Sequence, residues 1–340
     1  MSSHPNRWRR GAASVAGGGA TVYVLLVVIL VVIVAINPSF AEPPALMAYA
    51  KTLAPLALLA IGEYFVVVSG EFDLSVGSLV GFQVVLAALL IDGDEARTLP
   101  VIGLLLVIGA VVGLVNGLIT TVLKVPSIIT TLGTMLVLFG AIRLLTGGAP
   151  TGSLSEAFRM AGRGGIELPV VRQLPWALLI AVVVAVGAAI LMRRPYGRRL
   201  LAVGDNDRAA GFAGVRVAAT RCIAFTLSGL LATVAAVLIG GFAGVTAKVG
   251  QDLEFTAITA VVIGGVVLGG GRGSVAAAMT GAVTVESLFT LFNHLSLPSS
   301  VRPTAQGLIL IAAVAYAARD RFRRPRPTPT SQRHSDVATT

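Results

Sequence analysis

Ten apolar runs, each about as long as the roughly 17 to 25 residues that cross a hydrocarbon layer as a helix, leave this 340-residue chain little with which to build a soluble core. They extend from Ala20 to Ile36, Thr52 to Ser69, Leu74 to Ile91, Pro100 to Leu123, Pro126 to Thr146, Leu174 to Met192, Cys222 to Val245, Leu253 to Gly270, Ser274 to Phe292 and Val301 to Ala318. With 55% hydrophobic and 12% charged residues and a mean hydropathy of +0.88, the solvent for most of the chain is lipid. Lipid offers no partner to a free backbone N–H or C=O, so the runs must be helices. The expectation is an all-α integral membrane protein, a polytopic bundle of about ten transmembrane helices. Its weakest point is Ser69 to Asp73, where SGEFD leaves few polar residues between two runs and reads equally as a broken or re-entrant helix.

An even number of crossings puts both termini on one side, and Lys and Arg gather on the cytoplasmic side of short loops. With both termini cytoplasmic, that side holds three arginines before the first run, Lys124, seven arginines between Arg193 and Arg221, Arg272 and six arginines beyond the last run, 18 of the 26 basic residues. The chain then divides into a basic amino-terminal tail (1–19), a membrane domain (20–318) with a cytoplasmic loop at 193–221, and a basic, proline-containing disordered tail (319–340). Arg7, Arg9 and Arg10 before an apolar run also suit a signal peptide. Gly11 to Ile36 is uncharged for longer than the usual signal core of about 7 to 15 residues, which favours a retained anchor.

The net charge of +10 is accounted for by these loops and points to no nucleic-acid partner. Cys222 is the only cysteine, the three histidines are scattered, and neither a metal site nor a cofactor is expected. None of the lysines, Lys51, Lys124 and Lys248, follows a glycine, so the Gly-Lys-Ser/Thr of a P-loop is missing. GGGRGS at Gly269 to Ser274 has no strand before it and reads as a tight turn between helices. No GxSxG elbow or HExxH pair is present, and the chain is expected not to be an enzyme.

What polarity remains inside the runs is concentrated. Glu63 and Glu286 lie within apolar stretches, where a carboxylate is costly enough to imply a partner or a function. They suit hydrogen bonding to a hydroxylated solute, proton relay, or pairing with neighbouring Ser, Thr and Asn. Glu71, Asp73 and Ser75 stand where a helix restarts after Gly70, to cap it or to border a translocation path. Asn116, Thr130 and Thr134 flank the Lys124-Val125-Pro126 turn and suit a neutral polar solute. Glycines four apart, as at Gly109, Gly113 and Gly117, let helices pack closely, more simply within the bundle than between copies.

Four stretches carry a family resemblance: GEFDLSVGS (Gly70 to Ser78), NGLITTVLKVPSIITTLGTM (Asn116 to Met135), YGRRLLAVGDNDRAAGFAGV (Tyr196 to Val215) and AVVIGGVVLGGGRGS (Ala260 to Ser274). In this order the chain resembles the permease subunit of bacterial ABC importers for monosaccharides, the ribose, xylose and galactose group. The family commonly has Gly-Ile where Glu71-Phe72 stands here. The resemblance implies a partner cytoplasmic ATP-binding subunit, a second permease subunit, identical or not, and an extracytoplasmic sugar-binding protein. It also implies that Gly204 to Gly214 supplies the helix that docks on the ATPase. Asp205 or Asn206 can cap such a helix, Ala209 and Ala210 give it a flat face, and Gly211 and Gly214 let it end abruptly. A permease of the same type for branched-chain amino acids, nucleosides or a furanone signal, and an ion-coupled secondary transporter using Glu63 and Glu286, are the alternatives.

Overall fold

The computed structural model describes residues 7–149, 152–169, 171–246, 248–298 and 300–322. Its helices are α1 (Arg7–Ile36), α2 (Pro43–Val68), α3 (Val76–Ile91), α4 (Thr98–Thr121), α5 (Ser127–Thr146), α6 (Glu156–Arg163), α7 (Trp176–Arg193), α8 (Pro195–Asp205), α9 (Asp207–Phe212), α10 (Val217–Ala243), α11 (Leu253–Ile263), α12 (Val275–His294) and α13 (Val301–Phe322). A two-stranded antiparallel hairpin, β1 (Gly165–Leu168) and β2 (Arg172–Pro175), joins α6 to α7 with Gly165 opposite Pro175. Each of the ten apolar runs holds one helix, and α6, α8 and α9 lie between them.

Six of these helices are long and apolar enough to cross a membrane, while α3, α11 and the Val22–Ile36 part of α1 are apolar but shorter. The eighth run departs most from expectation. Only Leu253–Ile263 is helical, and 11 residues at about 1.5 Å each span roughly half of a 30 Å hydrocarbon core. The rest turns at Gly265, Gly270 and Gly271, all with φ between 73° and 92°. Hydropathy rates these glycines as apolar, but left-handed backbone ends a helix. The expected tails also differ. Residues 7–19 belong to α1 and 319–322 to α13, while 1–6 and 323–340 lie outside the described residues.

The axis of the bundle is α2, buried continuously from Ala54 to Ser69 and contacted by α7, α10, α11 and α12. The longest helix seam lies between α10 and α4, and it follows the predicted glycine stripe. A β-carbon on Gly109, Gly113 or Gly117 would overlap the α10 backbone at Gly229, Phe225 and Cys222 respectively. Little hydrophobic force acts between helices in lipid, so this close backbone approach, with the dispersion it gains, holds the seam. Cys222 is buried there as a small apolar residue. On their other sides α4, α5 and α7 expose Val107, Val111, Val137, Val183 and Val186, an apolar exterior suited to acyl chains.

The loops sort to two ends. At one end the 69–75 segment, α8, α9, the start of α10 and the 264–274 turn meet: Gly271 N–H donates to Val68 O at 2.9 Å, and Phe72 N–H to Ser127 Oγ at 3.2 Å. At the other, Glu95 accepts from the N–H groups of Glu156 and Ala157 at the start of α6, Gly93 N–H donates to Ser153 O, and Lys51 Nζ donates to Arg163 O.

Candidate functional site

The site begins where α2 stops. Gly70, at φ 89°, lets its N–H reach Val67 O and that of Glu71 reach Val66 O, the paired bonds of a Schellman turn. The chain then runs without helix to Ser75, and within that break Asp73 collects three donors. Its Oδ1 accepts from Ser75 N–H (3.1 Å) and Ser75 Oγ (2.6 Å), and its Oδ2 accepts from Ser228 Oγ of α10 (3.0 Å). Asp73 N–H turns back to donate to Glu63 Oε1 of α2 at 3.3 Å.

From Ser75 the chain of bonds continues outward. Asn116 Nδ2 of α4 donates to Ser75 Oγ (2.9 Å), and Thr134 Oγ1 of α5 donates to Asn116 Oδ1 (2.6 Å) and to Thr130 O (3.2 Å). One buried network thus joins α2, the break, α3, α4, α5 and α10. Six of the seven path candidates take part: Glu63, Asp73, Ser75, Asn116 and Thr134 through their side chains, Thr130 through its carbonyl. All are buried except Thr134, which is half-buried. Glu63 Oε2 and Thr130 Oγ1 have no hydrogen-bond partner among the described residues, which leaves two spare acceptors in the network. Neither Glu63 nor Asp73 is in an ion pair among the described residues.

Glu286 does not belong to this site. It is half-buried on α12 beside Thr52 and Arg302, and Thr52 lies about three turns of α2 from Glu63. The sequence gives both glutamates the same apolar surroundings; only the direction of each helix face separates them. Glu71 also turns away from the α3 start, pairing with Arg221 Nε at 3.2 Å.

The predicted docking segment is present with one face reversed. Asn206, and not Asp205, caps α9, its Oδ1 accepting from Ala209 N–H at 2.9 Å. Gly214, at φ 82°, closes the following turn. Gly204 faces the bundle, where a β-carbon would overlap Val68 O, and Asp205 lies against Gly271. Tyr196 anchors α8, its hydroxyl donating to Thr220 O at 3.4 Å; burial raises this phenol above its ordinary range, so it stays a donor. Ala210, expected to share one flat face with Ala209, is instead buried, while Ala209 and Gly211 are exposed and Phe212 is 93% exposed, the largest value among the bulky apolar side chains of the described residues. Helical rotation explains the reversal, since the 100° step from Ala209 to Ala210 turns the second inward.

Several participants escaped the sequence reading. Ser228 carries no signal, being one hydroxyl in an apolar helix, and Gln83, which donates to Thr233 Oγ1 (2.9 Å) and Leu105 O (3.0 Å), is equally silent. Glu254, buried at the start of α11 with Oε2 lacking a hydrogen-bond partner among the described residues, was legible as a third intramembrane carboxylate. Phe212 was legible too, as the one aromatic between Gly204 and Gly214.

Apolar-sided helices around a buried polar network, with a short capped helix at one end, suit a multi-pass membrane protein. Comparison with known proteins carries this further. The chain belongs to the family described as "Branched-chain amino acid transport system / permease component", whose match covers residues 45–317. It is 33% identical over 288 residues to the ribose import permease protein RbsC of Bacillus subtilis (strain 168), covering 82% of this chain and 86% of that one. It is 34% identical over 289 residues to the autoinducer 2 import system permease protein LsrC of Enterobacter sp. (strain 638), with 84% and 82% covered. The protein of the same name from Escherichia coli (strain K12 / DH10B) is 32% identical over 268 residues, with 78% and 76% covered. No solved structure matches the chain.

Proposed function

We propose that this chain is the membrane-spanning permease subunit of an ATP-driven importer for a monosaccharide. It works with a cytoplasmic ATP-binding subunit that performs all hydrolysis, a second permease subunit, and an extracytoplasmic sugar-binding protein that delivers the solute. The ten apolar runs cross the bilayer, the eighth only partly as helix, with both termini cytoplasmic, and the end bearing α8 and α9 faces the cytoplasm. Relatives named for ribose and autoinducer 2 import support a small-solute importer. The clustering of seven arginines at 193–221 supports the orientation.

One observation carries the docking role: Phe212, nearly fully exposed, on a capped helix whose other side is packed down by buried Ala210. A bulky aromatic held out in water on a capped helix suits the anchor of an interface. Docked in the ATPase, α9 moves with it, and the rigid-body shift of the helices turns the path from one side of the membrane to the other. The path is bordered by the α5 end of the network, where Thr134 is half-buried and Thr130 Oγ1 is free to bond a sugar hydroxyl.

Phe212→Glu should release the ATPase from the detergent-solubilised complex while the permease still reaches the membrane, whereas Phe212→Leu should retain it. A stable complex with Phe212→Glu would overturn the docking role. Ribose uptake into proteoliposomes holding all components, dependent on internal or external ATP according to orientation, tests the import function itself.

A further inference from the structure

Near the start of α10, Arg221 reaches three groups from two different segments. Its Nε lies 3.2 Å from Glu71 Oε1 and 3.3 Å from Ser69 O, both in the α2–α3 break, and its Nη1 lies 3.5 Å from Asp207 Oδ2. Asp207 is the first residue of α9, the helix that carries Phe212. The Arg221 and Glu71 side chains are only 16% and 15% exposed, and Asp207 is 49% exposed. Water therefore screens the inner arm less than the outer one. A guanidinium holds its donors in a rigid plane, so a shift of one arm reorients the other; a lysine ammonium, with freely turning donors, would not pass it on.

Two residues beyond Glu71 stands Asp73, the hub of the buried network. A displacement of α9 thus has a direct polar route: Asp207 to Arg221, Arg221 to Glu71 and the Ser69 carbonyl, and from that break to Asp73, Ser228 and Asn116. Two other ties at this end, Gly271 N–H to Val68 O and Gly204 against Val68, join the 264–274 turn and α8 to α2 and do not involve α9. We propose that Arg221 is a positioning residue that transmits movement of the docking helix to the α2–α3 break and so sets how much solute moves per ATP hydrolysed. This rests on the docking role of α9 proposed above.

The test uses the complete importer in proteoliposomes, with retention of the ATPase, ATP hydrolysis and solute uptake measured on the same preparation. Arg221→Gln should keep the ATPase attached and lower uptake per ATP by about tenfold, a typical coupling between linked sites. Arg221→Lys should recover little, and Arg221→Gln combined with Glu71→Gln should fall no further than Arg221→Gln alone, because the two residues act in series. An unchanged ratio, or losses that add in the double variant, would overturn the inference. Release of the ATPase by Arg221→Gln would also overturn it, making Arg221 part of the docking surface. If the Arg221 variants do not reach the membrane, Glu71→Gln carries the same expectation of a tenfold fall and is overturned by a normal ratio. If Phe212→Glu leaves the ATPase bound, the docking role fails; if it releases the ATPase while Arg221→Gln transports normally, only the present inference fails.

Discussion

Replacing Asp73 by alanine should be the most damaging single change in the buried network. It strands three donors at once, Ser75 N–H, Ser75 Oγ and Ser228 Oγ, in a place where no bulk water can replace the carboxylate. Interhelical hydrogen bonds in membrane proteins average about 0.6 kcal/mol and reach about 1.7, so three lost bonds amount to about 2 to 5 kcal/mol. Ser75 Oγ still accepts from Asn116 Nδ2, but a donor cannot pair the stranded Ser75 O–H. Asp73→Asn should cost only about 1 kcal/mol, since the amide oxygen can still accept from Ser75 and the Ser228 hydroxyl can turn to accept from the new NH2. Ser228→Ala removes one bond and should resemble Asp73→Asn. The assay is equilibrium or thermal unfolding of purified protein in mixed micelles, followed by tryptophan fluorescence and size exclusion. The expected order of stability is wild type, then Ser228→Ala close to Asp73→Asn, then Asp73→Ala well below. Asp73→Ala as stable as Ser228→Ala would refute the idea that one carboxylate organises the break.

Two further outcomes follow from the same geometry. Gly113→Leu should force α4 away from the Phe225 carbonyl and lose about 1 to 3 kcal/mol or fail to fold; Gly133→Leu, with open space around its β-carbon, should stay within about 0.5 kcal/mol of wild type in the same unfolding assay. Glu286→Gln should leave solute uptake within about twofold of wild type because Glu286 lies outside the network, while Asn116→Leu should abolish uptake by cutting the link between α3 and α5.

How much of this was legible depended on what kind of fact each residue encodes. Apolar length is additive along the chain, and each of the ten runs holds a helix, six of them long and apolar enough to cross a membrane. It failed at Gly264 to Gly271, since hydropathy scores a glycine for its lack of polarity and is blind to the positive φ that ends α11 there. The break after Gly70 was readable because a glycine followed by three polar or aromatic residues is a local stop signal. The network it nucleates was readable only in part. Glu63 and Asp73 stand out by cost and Asn116 and Thr134 by their place beside a turn, but Ser228 is a cheap residue whose role comes from what faces it across the bundle. The same limit explains Ala210 and Phe212: the resemblance implied a docking segment, and only the rotation of α9 decides which side chain is offered outward. Glu286 and Glu63, alike in sequence, part company for that reason as well.

The bond from Gly271 N–H to Val68 O closes a loop of about 200 residues. At a ribosomal pace of about 5 to 20 residues per second, the Val68 carbonyl exists for about ten to forty seconds before its eventual partner is synthesised. During that interval the newborn α2 must sit at a wet membrane boundary or beside the insertion machinery, and the clasp can be fastened only after α11 has been laid down.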